Sequence, residues 1–126
     1  MVVGFSSPAQ DMIADNVSLH RYLVPHPLNS MFVEMSGNSM RGVVNTADLL
    51  IVERSNQANP GQIVLAQIDG QYMIRFLGRD RNGFLLYGTM RNEQPVRPST
   101  DIAIVGIVTG LARRFQSNTP KRKESS

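Results

Sequence analysis

From Val17 to Leu111 the chain consists of short apolar runs broken by turn residues, and that punctuation restricts the fold to a sheet of short strands. The runs are Met31–Met35, Asp48–Arg54, Gln62–Ile68, Gln71–Leu77, Phe84–Tyr87 and Ile102–Leu111, rich in the Val, Ile, Leu, Phe and Tyr that half-buried pleated surfaces favour. Asp69-Gly70 separates two of them by two residues, the signature of a type I′ hairpin. Pro60-Gly61 closes the irregular stretch Ser55–Asn59, and Asn82-Gly83 sits in a slightly longer loop between the next pair of strands. Within Gln71–Leu77 the residues alternate, with Tyr72, Ile74 and Phe76 on one face and Gln71, Met73, Arg75 and Leu77 on the other. The expected fold is mostly β, a compact antiparallel domain with short helices at Leu19–Leu23 and Ser39–Val44.

Composition narrows the chemistry. The 126 residues hold no Cys, which removes disulfides, thiolate metal sites and cysteine nucleophiles together. With His20 and His26 as the only histidines, no metal site is expected, and no cofactor. The longest apolar runs are far shorter than the ~18 residues of a membrane helix, and Met1–Pro8 lacks the basic start and apolar core of a signal peptide. A cytoplasmic protein with no membrane partner is expected.

An isoelectric point of about 9.8 suggests nucleic acid as a partner, but the charge is unevenly placed. Residues 113–126 sum to +4 and residues 1–112 to −1. The polar, Ser-rich run from Gln116 to Ser126 reads as a disordered basic tail. The chain therefore divides into a flexible arm at 1–16, a folded domain at 17–115 and the tail at 116–126, with direct DNA binding weak or absent. The only lysines are Lys121 and Lys123, so the domain itself has none.

The stretch that carries chemistry is Phe32–Arg54, FVEMSGNSMRGVVNTADLLIVER. A strand runs into Ser36-Gly37-Asn38-Ser39-Met40, a tight turn in which Gly37 permits the reversal and presents the Ser39 hydroxyl. Successive N–H groups after such a turn, at Gly37, Asn38 and Met40, can converge on an oxyanion. Alone, a serine in a turn is ordinary turn chemistry.

The wider pattern is more specific. G-N-S-M, then D-L-L-I-V-E-R-S, then P-G-Q-I-V-L-A-Q-I-D-G-Q-Y-M-I-R-F-L resembles the C-terminal domain of the LexA/UmuD family, self-cleaving serine proteases stimulated by RecA and using a Ser-Lys dyad. Upstream, Gly4-Phe5-Ser6-Ser7-Pro8-Ala9 and the segment from Val17 to Pro27 are similar to its UmuD branch, in which a like G-F-x-S-P-A follows the scissile bond. Downstream, Ile104–Thr109 resembles the closing strand. The resemblance spans residues 4–112. It implies a β-rich fold, a homodimer, Ser39 as the nucleophile position, and Val3–Gly4 as the equivalent of the cleaved bond.

It also places Arg75 where the family has its lysine base. A general base must release its proton near working pH. A buried Lys does so when its pKa falls; Arg, with a pKa above about 12, does not. No other lysine in the domain can replace it. His20 and His26 are alternative bases, although His26 lies in an ordinary Pro-His-Pro segment. Arg75 is instead expected to hydrogen-bond Ser39 or to pair with Glu34 or Asp48. Asn38 stands where the family commonly has Asp, and the loop from Met40 to Asp48 is one residue shorter than in UmuD. Three residues precede Gly4, so a chain resembling the processed form, UmuD′, is expected, without the helix-turn-helix module of a LexA-type repressor.

Three functions are compatible with these residues. The first is a non-catalytic, UmuD′-like accessory subunit that forms a homodimer, binds a UmuC-like Y-family polymerase and the RecA–single-stranded DNA filament, and supports SOS translesion synthesis. The second is an active RecA-stimulated self-cleaving peptidase. The third is a phage or plasmid protein that forms inhibitory mixed dimers with a host UmuD- or LexA-type protein.

Overall fold

The Asp69-Gly70 turn has both residues at positive φ, 52° and 80°, the backbone that a type I′ hairpin demands. It joins β3 (Ile63–Ile68) to β4 (Gln71–Asp80) in the register Ile68↔Gln71 to Ile63↔Phe76. A computed structural model describes residues 18–97 and 103–115. In it, β1 (Ser30–Glu34), β2 (Leu49–Arg54), β3, β4, β5 (Gly83–Tyr87) and β6 (Ala103–Ala112) form one sheet in the order β1-β2-β6-β3-β4-β5, with every neighbouring pair antiparallel.

The last strand therefore lies in the middle, between β2 and β3. It follows both by bulging twice, once against Ile51/Val52 and once against Leu65/Ala66. At Gly106 it passes so close that a Cβ would sit 2.5 Å from Val52 Cγ1 and 2.6 Å from the Glu53 carbonyl oxygen, so only glycine fits.

Successive residues of β3 alternate between two apolar clusters. Ile63 and Leu65 join Met35, Met40, Val44, Leu50, Val52 and Ile74; Val64, Ala66 and Ile68 join Leu77 and Leu86. Both faces of the sheet's centre are thus buried, which explains why β2 and β3 read as continuous apolar runs. One short helix, α1 (Leu19–Leu23), is capped by the Ser18 hydroxyl accepting from the Arg21 N–H at 3.1 Å, and a 3-10 turn follows at Pro27–Asn29. No helix among the described residues is long and apolar enough to cross a membrane.

Three expectations from the sequence change. Ser39–Val44 is not a helix but a string of turns, with the Val43 and Val44 N–H groups both donating to the Met40 carbonyl, because the loop must return to β2 within a few residues. β4 runs to Asp80 instead of Leu77, and Asp80 pairs with Gly83. The loop holding Asn82 shrinks accordingly to two residues. The charge of Arg113, summed above with that of the tail, is spent on Asp48, with which it pairs. Val3, Gly4, the arm at 1–16 and the tail at 116–126 lie outside the described residues.

Candidate functional site

Ser39 owes its position to the turn between β1 and β2. Gly37, at φ 87°, reverses the chain after β1. The Thr46 hydroxyl donates to the Gly37 carbonyl at 2.7 Å, tying the two ends of the loop together. Met40, fully buried among Met35, Val44, Leu50 and Ile74, anchors the residue after Ser39 to the core. A buried anchor beside a half-exposed serine fixes the hydroxyl at the surface without freezing it inside.

A second clamp comes from a segment with no motif. The Thr89 N–H donates to the Ser39 carbonyl at 2.8 Å, and the Thr89 hydroxyl donates to the Arg41 carbonyl at 2.8 Å. Gly88 precedes it, and a Cβ there would collide with the Ser39 carbonyl oxygen. The chain leaving β5 thus presses on the backbone of the nucleophile position, and only a glycine allows the approach. Sequence reasoning missed this contact; the sole hint was a Gly-Thr pair closing an apolar strand.

Ser39 lies on the wall of a cleft of about 410 Å³. Val33, Glu34, Met35, Ser36 and Gly37 supply one side from β1 and its exit; Leu65 and Gln71–Arg75 supply the other from β3 and β4. Strands β1 and β4 are not hydrogen-bonded neighbours, so the sheet curls to bring them to one groove. Gln71–Arg75 precedes the part of β4 that pairs with β5, which begins at Phe76.

Ser39, Gly37 and Arg75 all line this cleft. Their chemistry differs from a working dyad. Arg75 Nη1 donates to the carbonyl of its neighbour Ile74 at 2.7 Å, folding the guanidinium onto its own strand. Among the described residues it makes no hydrogen bond to Ser39 and no ion pair with Glu34 or Asp48, contrary to expectation. Asp48 is already taken. It is buried, opens β2, and receives Arg113 Nε and Nη2 at 2.7 Å each, together with the Asn45 N–H at 2.7 Å. The Arg113 hydrogen bond holds the Asp48 carboxyl below its ordinary value, outweighing the upward push of burial. His20, in α1, and His26, before the 3-10 turn, do not line the cleft.

Among the described residues no oxygen accepts from the N–H groups of Asn38, Ser39 or Met40, so the turn keeps donors suited to a developing oxyanion. Position 75 holds an arginine, a side chain that donates hydrogen bonds and does not accept them. No group of three or more His, Cys, Asp or Glu side chains that would hold a metal occurs among the described residues.

Comparison with known proteins agrees with this geometry. Residues 1–109 match the family described as Peptidase S24-like. Protein ImpA of Salmonella typhimurium is 34% identical over 113 residues, covering 88% of this chain and 77% of that protein. Protein MucA of Escherichia coli is 40% identical over 75 residues, 59% of this chain and 51% of its own. The LexA repressor of Clostridium novyi (strain NT) is 28% identical over 110 residues, 85% and 53% of the two chains. A match across most of the chain, together with a serine turn and curled sheet of the implied kind, makes this chain a member of the LexA/UmuD family of Peptidase S24-like proteins.

Proposed function

We propose that this chain is a non-catalytic, UmuD′-like accessory subunit: a homodimer that binds a UmuC-like Y-family DNA polymerase and the RecA–single-stranded DNA filament in SOS translesion synthesis. The observation that carries the reading is Arg75 in the Ser39 cleft. A guanidinium stays protonated at any pH the fold survives, so it cannot act as the base that a Ser-Lys dyad requires. Its hydrogen bond to the Ile74 carbonyl gives it a structural task there instead. The fold, the Ser39 turn and the family's scaffold are otherwise kept, which supports a role in binding partners.

The test has two arms. The intact chain is incubated with RecA filament, nucleotide analogue and single-stranded DNA, and separately at alkaline pH, and its mass is measured. The expected mass is unchanged; loss of Met1–Val3 would move the chain to the self-cleaving peptidases. In the second arm the chain is used to capture a UmuC-like polymerase. Retention is expected. Failure to retain it, with capture of a UmuD- or LexA-type protein instead, points to the inhibitory mixed dimer.

A further inference from the structure

We propose that the Ser39–Arg75 cleft is a receptor for the free C-terminal carboxylate of an apolar peptide. This goes beyond the accessory-subunit reading and does not depend on it, because holding a carboxylate requires neither a dimer nor a polymerase.

The donors come first. Arg75 spends Nη1 on the Ile74 carbonyl and keeps the rest of its fork, with no carboxylate paired to it among the described residues. The hydroxyl residues Ser36 and Ser39 line the same cleft. The N–H groups of Asn38, Ser39 and Met40, unused within the described protein, belong to the same turn. A planar guanidinium and two hydroxyls lining one cleft are donors that a carboxylate satisfies, and such charge-assisted bonds are the stronger kind.

The rest of the lining sets what the carboxylate is attached to. Val33, Met35, Leu65 and Ile74 give the lining an apolar share beside its polar one, and about 410 Å³ falls in the range of small-ligand sites. Glu34, on the β1 side, adds a negative charge to the lining that Arg75 does not neutralise within ion-pair distance. A dianionic phosphate meets repulsion there. A singly charged carboxylate on an apolar residue can turn its charge to Arg75 and its side chain to the wall. The replacement that removes a proton acceptor therefore supplies an anion binder, and the cleft changes from a place where a peptide is cut to one where a peptide end is held.

The experiment is fluorescence anisotropy on the full chain with a fluorescein-labelled peptide ending in Val-Val, as the free acid and as the amide. The acid should bind about tenfold more tightly than the amide, the scale of losing a charge-assisted bond pair. Arg75→Gln should abolish that preference, and 10-fold excess inorganic phosphate (roughly ten peptide equivalents) should not displace the acid, given the Glu34 charge. Glu34→Gln, at an exposed edge-strand position where folding is not at stake, should tighten the acid by about two- to fivefold. Equal binding of acid and amide, binding of neither, a preference that survives Arg75→Gln, displacement by phosphate, or no gain from Glu34→Gln would each overturn the proposal. A self-cleaving wild type, read by mass, would sink the proposed function while leaving these binding results to be judged separately.

Discussion

Arg113 and Asp48, sixty-five residues apart in sequence, are joined by two parallel hydrogen bonds of 2.7 Å from the guanidinium to both carboxylate oxygens. The pair ties the end of β6 to the start of β2, and Arg113 Nη2 also reaches the Val43 carbonyl in the serine loop at 3.5 Å. Asp48 is the one buried charged or polar residue of the described core, so its partners decide whether burying it is tolerable. Arg113→Ala should lower the melting midpoint by several degrees, and more than Arg114→Ala does. Thermal melts of the two variants at neutral pH check this; equal midpoints would mean that water serves Asp48 as well as Arg113.

The same pair sets an acid limit. The folded-state pKa of Asp48 is held below its ordinary value, first by the Arg113 hydrogen bond and then by the Asn45 N–H, against burial. A depressed folded pKa gives stability that is fully present above the unfolded value of about 3.9 and is lost as pH falls toward the folded value. Wild-type protein should therefore lose midpoint temperature steeply as pH drops below about 4. Asp48→Asn should start from a lower midpoint and show a shallower fall. Asp80, held low by Arg97 on the surface, adds little, because that pair is solvated. Melts of the two proteins between neutral and acid pH give the slopes; parallel curves would remove Asp48 as the source.

How much of this was legible beforehand depends on sequence separation. Asp69-Gly70 encodes its hairpin locally, and the alternation of Ile74 and Phe76 against Met73 and Leu77 predicts which cluster each joins. The turn at Ser39 was readable from Gly37, whereas Arg75 was singled out only through the family resemblance. The order of strands was not, because β6 enters between β2 and β3 on the strength of packing that no neighbouring residue announces. The Thr89–Ser39 and Arg113–Asp48 contacts span the fold for the same reason, and each side chain or amide is unremarkable by itself. Arg113 was grouped with the tail because charge runs look alike in sequence whether or not one member has a buried partner.

Ala47 sits at φ 77°, in the left-handed region, with its N–H donating to the Met35 carbonyl at 2.8 Å. An L-residue with a Cβ is strained there by roughly 1–2 kcal/mol, whereas glycine costs about 0.5–1 kcal/mol through the freedom it gains when unfolded. The difference favours glycine. Ala47→Gly should stabilise the protein by roughly 0.5–1 kcal/mol in urea melts. The mirror experiment is Gly42→Ala at φ 95°, where a Cβ has open space and the same two effects act in reverse, so it should destabilise by roughly 0.5–1 kcal/mol. A destabilising Ala47→Gly would show that the turn tolerates its φ at no cost.

Gly88 tests the clamp on the nucleophile loop. A methyl group at this position would run into the Ser39 carbonyl oxygen, so either the loop or the chain after β5 must move. Forcing such a shift costs on the order of 1–3 kcal/mol. Gly88→Ala should lose about that much stability, and it should also weaken the free-acid peptide in the cleft, because the displaced backbone is that of Ser39. Thr89→Val, which removes the hydroxyl bond to Arg41 but keeps the N–H bond to Ser39, should be milder on both counts. Urea melts and peptide anisotropy on the two variants separate a general loss of stability from a displaced Ser39. Unchanged binding in Gly88→Ala at full fold would dissociate the clamp from the cleft.

Arg75→Lys asks whether the missing base alone silences Ser39. In the wild type no group at position 75 can release a proton at accessible pH, so Ser39 should resist a fluorophosphonate probe from neutral to strongly alkaline conditions. A lysine has an ordinary pKa of about 10.4, lowered by partial burial, and becomes neutral within the range the fold survives. The variant should therefore label at Ser39 with a rate that climbs as pH rises and levels off once the lysine has titrated. Ser39→Ala in the Arg75→Lys background should abolish the labelling, which assigns it to one hydroxyl. The turn leaves the Asn38, Ser39 and Met40 N–H groups without an acceptor among the described residues, so donors remain for a developing oxyanion. If Arg75→Lys labels no faster than wild type at any pH, the base at position 75 is not what holds Ser39 out of reaction. If the wild type itself labels with a rising pH profile, Ser39 has a base elsewhere and the non-catalytic reading falls.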